Sequence, residues 1–183
     1  MLVSSTQIRS LLREGDRRTV GHVAEAVEMV LREPKLVVAL VNCMFEADEG
    51  TRMRAADALE KVSRKRVGEL QPYKSVLLGL FEESEQQEVR WHLAVILPRL
   101  RLNADECSRT SETLQRCLTA KSSIVRTFAL QGLSDLTAQE PALTPLVLGL
   151  LRSAQRTGTP AMKARSRKLL NLLESRGENS KQT

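Results

Sequence analysis

The side chains of this chain that could do acid–base or covalent chemistry are few and scattered. His22 and His92, its two histidines, lie 70 residues apart, and neither has a carboxylate at the spacing of a catalytic triad or a metal-ligand pair. Cys43, Cys107 and Cys117 are odd in number and sit within apolar helical patterns, with no Cys-x-x-Cys or Cys/His cluster. They are expected to be buried, reduced thiols of a cytoplasmic protein. No catalytic residue, metal ligand or cofactor site is expected, which leaves binding chemistry. The net charge is +6, yet residues 1–149 carry 20 Lys/Arg against 20 Asp/Glu. The excess falls in residues 150–183, where eight cations face only Glu174 and Glu178. There Arg152, Arg156, Lys163, Arg165, Arg167 and Lys168 form a basic patch. It has two readings: contact with an acidic partner, nucleic acid included, or a solvated polar face on the last unit of an array.

Stepping from side chains to the elements that hold them, one helical pattern is written four times. Thr51-Arg52 opens a stretch with Ala55, Ala56, Ala58, Leu59 and Val62; Val89-Arg90 opens one with Leu93, Leu97 and Leu100. Val125-Arg126 opens a third with Ala129, Leu133 and Leu136, and Met162-Lys163 opens a worn fourth running to Leu173. The basic residue recurs at 52, 90, 126 and 163, spacings of 38, 36 and 37. A period in that range predicts stacked units, none of which can bury its apolar face alone. The composition agrees: 3% aromatic residues, nine Gly and six Pro favour Leu/Val/Ala helix packing over a β fold with its frequent turns.

The boundaries follow from breakers and caps. Ser4-x-x-Gln7 is predicted as a capping box ahead of a helix to about Glu14, and Val20 to Leu31 repeats at helical spacing from Thr19. Pro34 opens a helix over 34–47 that is apolar almost all round and so is expected to be enclosed by neighbours. Pro72 opens the next, and Ser84-x-x-Gln87 and Asn103-x-x-Glu106 are predicted capping boxes. Pro141, Pro145 and Thr159-Pro160 start the last two helices, and residues 177–183 are expected to form a disordered tail. The predicted organisation is one all-α domain over 1–176. Residues 1–32 form an N-terminal helical cap, followed by helix pairs at about 34–66, 72–100, 104–138 and 142–176. The longest apolar run, Leu36 to Val41, is far short of the about 20 residues that span a bilayer, so no membrane partner is expected.

Over residues 19–176 the chain resembles HEAT-repeat proteins, bacterial ones in particular. Their second helix reads as a Val-Arg pair followed by an Ala-rich stretch ending in Leu, and Val89-Arg90, Val125-Arg126 and Ala55-Ala56-x-Ala58-Leu59 match it. The fourth copy departs, with Lys163 for Arg and Ser166-Arg167 at the small-residue positions. The resemblance implies an α-α superhelix of about four helix pairs. It also implies that Arg52, Arg90, Arg126 and Lys163 brace neighbouring turns through carbonyls or acidic groups. Family members are mostly scaffolds for proteins, a minority bind nucleic acid, and a few are DNA glycosylases.

In a solenoid of helix pairs the second helices line the concave surface. Aligning the copies places Met53, Trp91, Thr127 and Ala164 at one outward position, and Asp57, Val95, Gln131 and Lys168 at the next. Lys61, Arg99, Asp135 and Leu172 share the third. From these, Met53, Asp57, Lys61, Trp91, Val95, Arg99, Gln131, Asp135 and Lys168 are the expected partner-binding residues. Trp91, the lone tryptophan, is either an exposed anchor near Arg99 or packing laid over the neighbouring repeat. The expected function is a non-enzymatic scaffold or adaptor holding a protein or peptide on that face. The alternative is a nucleic-acid-binding array using the basic C-terminal repeat, although no stacking aromatics accompany its charges. A glycosylase would need aromatics around an acidic group, and the candidate groove offers Trp91 alone, with Asp57 and Asp135 in separate repeats.

Overall fold

A computed structural model describes residues 2–15 and 21–179 of the chain. Ten α-helices lie among them: α1 Leu2–Arg13, α2 Val23–Arg32, α3 Val37–Cys43, α4 Glu49–Arg66, α5 Lys74–Glu83, α6 Gln87–Ile96, α7 Ala104–Cys117, α8 Ser123–Leu136, α9 Thr144–Thr157 and α10 Pro160–Asn179. The contacts group into two units, Met1–Ile96 and Leu97–Thr183. None of the described helices is long and apolar enough to cross a membrane.

The first unit is three antiparallel pairs, α1/α2, α3/α4 and α5/α6, in which α4 packs against both α2 and α6. Its alanines explain how closely the second helices approach: Ala55, Ala56, Ala58 and Ala94 are fully buried, so no long side chain holds the axes apart. Leu59, Val62, Leu77, Leu78, Phe81 and Leu93 fill the remaining space. The second unit repeats the plan with α7/α8 and α9/α10, α8 also packing on α10, and Leu130, Leu133 and Leu136 of α8, Val147 and Leu151 of α9 and Leu170 of α10 are buried. Each buried aliphatic side chain contributes about 1.5–3 kcal/mol, so these contacts dominate the stability of both units.

Local chemistry sets the helix ends. Asp48 caps α4, its carboxylate accepting from the Thr51 amide and hydroxyl, which holds it below the usual carboxylate range. Asn103 and Glu106 form the expected reciprocal box on α7. Ser122 caps α8, and the Thr159 hydroxyl accepts from the Met162 amide ahead of Pro160. Other expectations fail for local reasons. Helix α1 already runs from Leu2, so Ser4 lies inside it rather than capping it. Ser84 ends α5, and the residue opening α6 is Gln86, whose carbonyl accepts the Arg90 amide. Pro72 sits within a 3-10 segment, Val67–Tyr73, that precedes α5. Helix α10 continues through Asn179, past the predicted end at 176, and residues 180–183 of the predicted tail lie outside the described residues.

The 34–47 segment is a 3-10 turn, Pro34–Leu36, followed by the short α3, and as expected it is enclosed by several neighbours, α1 and α4 among them. Val37, Leu40, Val41 and Met44 are buried, while Phe45 is 60% exposed and Val38 37%. Phe45 follows the end of α3 and lines an open groove with Leu80 and Val89, which leaves its ring largely in water. The three cysteines are free and buried, and burial pushes the Cys43 thiol up to about 11.

Arg54 went unnoticed in the sequence yet anchors the first pair. It is 2% exposed, and its guanidinium donates to the Leu12 carbonyl at 2.6 Å and the Arg13 carbonyl at 3.5 Å, satisfying the C-terminal end of α1. Gly21, at φ +48°, turns the chain beside it; a Cβ there would meet the Glu14 carbonyl oxygen at 2.7 Å. Arg54→Ala is expected to lower the unfolding free energy by about 3 kcal/mol in urea titrations, because a buried carbonyl loses its charged donor. Arg32→Ala, at an exposed pair with Glu28, should cost less than about 1 kcal/mol.

Candidate functional site

The second helices carry the expected site residues, and the structure sorts them into three kinds. Val95 is core: at 3% exposure it lies in the run Leu93 to Ile96 that α6 buries whole, and it lines no surface. Most of the polar members are half-buried and paired. Lys168 is exposed and makes no hydrogen bond or ion pair among the described residues.

In the first unit Asp57 accepts from Lys61 Nζ at 2.8 Å and faces His92 of the next second helix, whose Nε2 is 3.6 Å away. His92 is 2% exposed, and its Nδ1 lies 2.6 Å from the Glu88 carbonyl. A carbonyl only accepts, so Nδ1 carries a proton and Nε2 is turned toward the carboxylate. Burial pushes the Asp57 carboxyl up, but His92 and Lys61 outweigh it and hold the group below its ordinary value. Trp91 is half-buried and lies on the His92 ring with centroids 3.3 Å apart. It is therefore neither a free anchor nor a fully enclosed core ring. Met53 beside it is half-buried.

In the second unit Gln131 joins two neighbours. Its amide donates to Asp135 at 2.8 Å, and its carbonyl oxygen accepts from Arg165 Nη1 at 2.7 Å. Arg165 also lies over the Phe128 ring, 5.5 Å from its centroid. Burial raises the Asp135 carboxyl above its ordinary value, against the hydrogen bond from Gln131 and the charges of Arg99, Arg176 and Arg165.

These clusters are one contact written twice. The side chain two positions after each basic residue reaches back to the position five after the preceding one: His92 to Asp57, and Arg165 to Gln131. That column, Arg54, His92, Phe128 and Arg165, was missed in the sequence because its four members differ in chemistry. Of the ladder two residues earlier, Arg52 donates to the Glu46 and Ala47 carbonyls and to Gln86, which in turn donates to the Glu49 carbonyl. It braces a loop to the next pair.

The basic patch is divided. Arg152 pairs with Glu174, Arg165 is held by Gln131 and Phe128, and Lys163 is half-buried. Arg156, Arg167 and Lys168 are exposed. Between α8 and α10 a groove of about 380 Å³ is lined by Ile124, Thr127, Phe128, Ala161, Ala164, Arg165 and Lys168. Ile124 is 54% exposed and, with Phe128, was absent from the expected site. Among the described residues no three His, Cys, Asp or Glu are placed to hold a metal ion.

The fold this arrangement defines is an all-α, HEAT-like repeat of helix pairs, as the sequence period implies. The chain is similar to a chain of the CpcE–CpcF complex of phycocyanin lyase from Nostoc, with a TM-score of 0.70 and 17% identity over 92% of this chain and 99% of that one. An engineered protein matches at 0.64 and 15% identity, over 93% of this chain and 79% of that one. These likenesses establish the fold. No family model matches the chain, and no curated protein matches its sequence.

The two carboxylates make opposite pH predictions. Asp57, depressed in the folded state, stabilises above the ordinary carboxylate range of about 4 and loses that contribution as pH falls through its folded value. Asp57→Asn should therefore lower the neutral-pH melting temperature and flatten its fall in acid. Asp135, raised in the folded state, costs stability once ionised. Asp135→Asn should raise the neutral-pH melting temperature, with the gain vanishing below about pH 4. Trp91→Ala is expected to cost about 2 kcal/mol, between a surface change and a full aromatic cavity.

Proposed function

We propose that the chain is a non-enzymatic scaffold that binds a protein partner on the second-helix face of its second unit. The observation that carries this reading is the α8/α10 groove, which leaves Ile124 exposed in a concave, partly apolar surface. Pairing of the polar side chains supports it from the other direction. Asp57, His92, Gln131 and Asp135 are committed to one another or to neighbouring helices, so they serve as structure rather than as poised acids or bases. A protein of the same fold occurs in a complex with a second protein, CpcE with CpcF, which fits a role of this kind.

A second reading, nucleic-acid binding, draws on the exposed Arg156, Arg167 and Lys168. Against it stand the apolar groove walls and the engagement of Arg152 and Arg165 within the protein.

Affinity capture with the full chain as bait, compared with an Ile124→Asp bait, separates these cases. A partner protein recovered by the wild type and lost with Ile124→Asp is the expected result, with melting temperature unchanged because Ile124 is exposed. Oligonucleotide binding that weakens steeply between low and physiological salt, and is indifferent to Ile124→Asp, would favour the second reading.

A further inference from the structure

The two units treat one repeat position differently. One residue after the basic residue of the later second helix, the first unit carries Trp91, whose indole lies against His92. The second unit carries Ala164 at that position, and next to it Arg165 stands where His92 stands. The groove opens there, with Ala161 and Ala164 as small residues on one wall and Ile124, Thr127 and Phe128 on the other. The first unit thus supplies a large aromatic side chain at a position where the second unit has alanine.

The charges around the opening have one sign. Arg165 and Lys168, one turn apart on α10, line it, and no carboxylate does. The Arg165 guanidinium is already fixed: Gln131 accepts one of its donors and Phe128 lies beneath its plane, while Asp135 locks Gln131 from the far side. A guanidinium immobilised in this way loses little freedom when it meets a ligand and still presents further N–H donors. Lys168 brings a second cation without a fixed partner among the described residues. The second unit as a whole carries 14 Lys/Arg against seven Asp/Glu, so its field favours an acidic partner.

From these observations we infer that the α8/α10 groove takes an acidic protein segment bearing one large aromatic side chain. That side chain occupies, over Ala164 and against Arg165, the place Trp91 holds in the first unit; flanking carboxylates of the segment pair with Arg165 and Lys168. The inference rests on the protein-binding reading above and adds the chemistry of the partner. A polynucleotide fits less well, because Ile124 and two alanines face the ligand beside only two cations, and Phe128 is already engaged by Arg165.

The test uses the full chain and a random-peptide phage library as the probe, with an Ala164→Trp chain as the subtraction control. Ala164 is exposed, so Ala164→Trp should fold and melt like the wild type while filling the groove. Enriched peptides are expected to combine an aromatic residue with several Asp/Glu. Synthesised with a fluorescein label and titrated by anisotropy, they should bind at least about tenfold more weakly to both Ala164→Trp and Lys168→Glu. Binding to Arg109→Glu, on α7 outside the groove, should be preserved. Enrichment of neutral or basic peptides that still lose binding to Ala164→Trp would overturn the acidic, aromatic partner and leave the protein-binding reading standing. No enrichment over the Ala164→Trp chain would remove both. A single-stranded oligonucleotide that displaces the peptide at equal concentration, also sensitive to Ala164→Trp, would assign the groove to nucleic acid instead.

Discussion

Contact between successive second helices within each unit is the constraint on which the rest of that unit depends. A repeat of this length has a second helix with more apolar surface than its own partner can cover, so the next second helix must lie against it. Ala55, Ala56, Ala58 and Ala94 permit close approach in the first unit, and Ala129, Gly132, Ser134 and Ser166 are buried small residues on α8 and α10 in the second. Once the axes are that close, a long side chain near the start of the later helix has to go beneath one on the earlier helix. In one unit these are His92 and Asp57; in the other, Arg165 and Gln131. The same geometry accepts an ionisable pair and an amide–guanidinium pair because it fixes positions rather than chemistry.

Magnitudes show which part of that contact stabilises and which part specifies. Burying the aliphatic residues of α4 and α6 contributes about 1.5–3 kcal/mol per side chain. A polar pair at such a contact has to recover its own desolvation first, so its net contribution is smaller. Its value lies in register: sliding one second helix along the other by a residue would part His92 from Asp57 in the first unit and Arg165 from Gln131 in the second. Arg52 works similarly at the edge, holding the Glu46 and Ala47 carbonyls that would otherwise lack donors where α3 turns into α4.

The period of the basic residues, the pairing of helices and several caps were legible in the sequence because each depends on residue type at fixed spacing. Asn103 with Glu106, and Thr159 before Pro160, require nothing beyond their own turn. The failures are equally instructive. Val95 falls on the outward side of an isolated helical wheel, but a wheel cannot show how many neighbours a helix has, and α6 is covered more widely than one face. Phe45 presents the converse case: the apolar pattern runs past the end of α3, and the ring that follows it lies largely in water while the helix itself is enclosed. The column of Arg54, His92, Phe128 and Arg165 stayed hidden because alignment by similarity overlooks a position filled by unlike residues. Arg54 additionally depends on α1, 41 or more residues away, for its acceptors.

The groove emerges from differences between copies rather than from any motif. Trp91 and Ala164 occupy one position, and the sequence alone gives no reason to prefer either as a site; the tryptophan attracts attention, while the alanine makes the space. Asp135 adds an energetic argument at the same place. Its ionised form is disfavoured by burial, and an uncharged amide would hold Gln131 equally well through one oxygen. Arg99, Arg165 and Arg176 surround that carboxylate, and its charge offsets theirs. On the proposed reading Arg165 is held between Gln131 and Phe128, so an acidic partner meets a guanidinium already oriented.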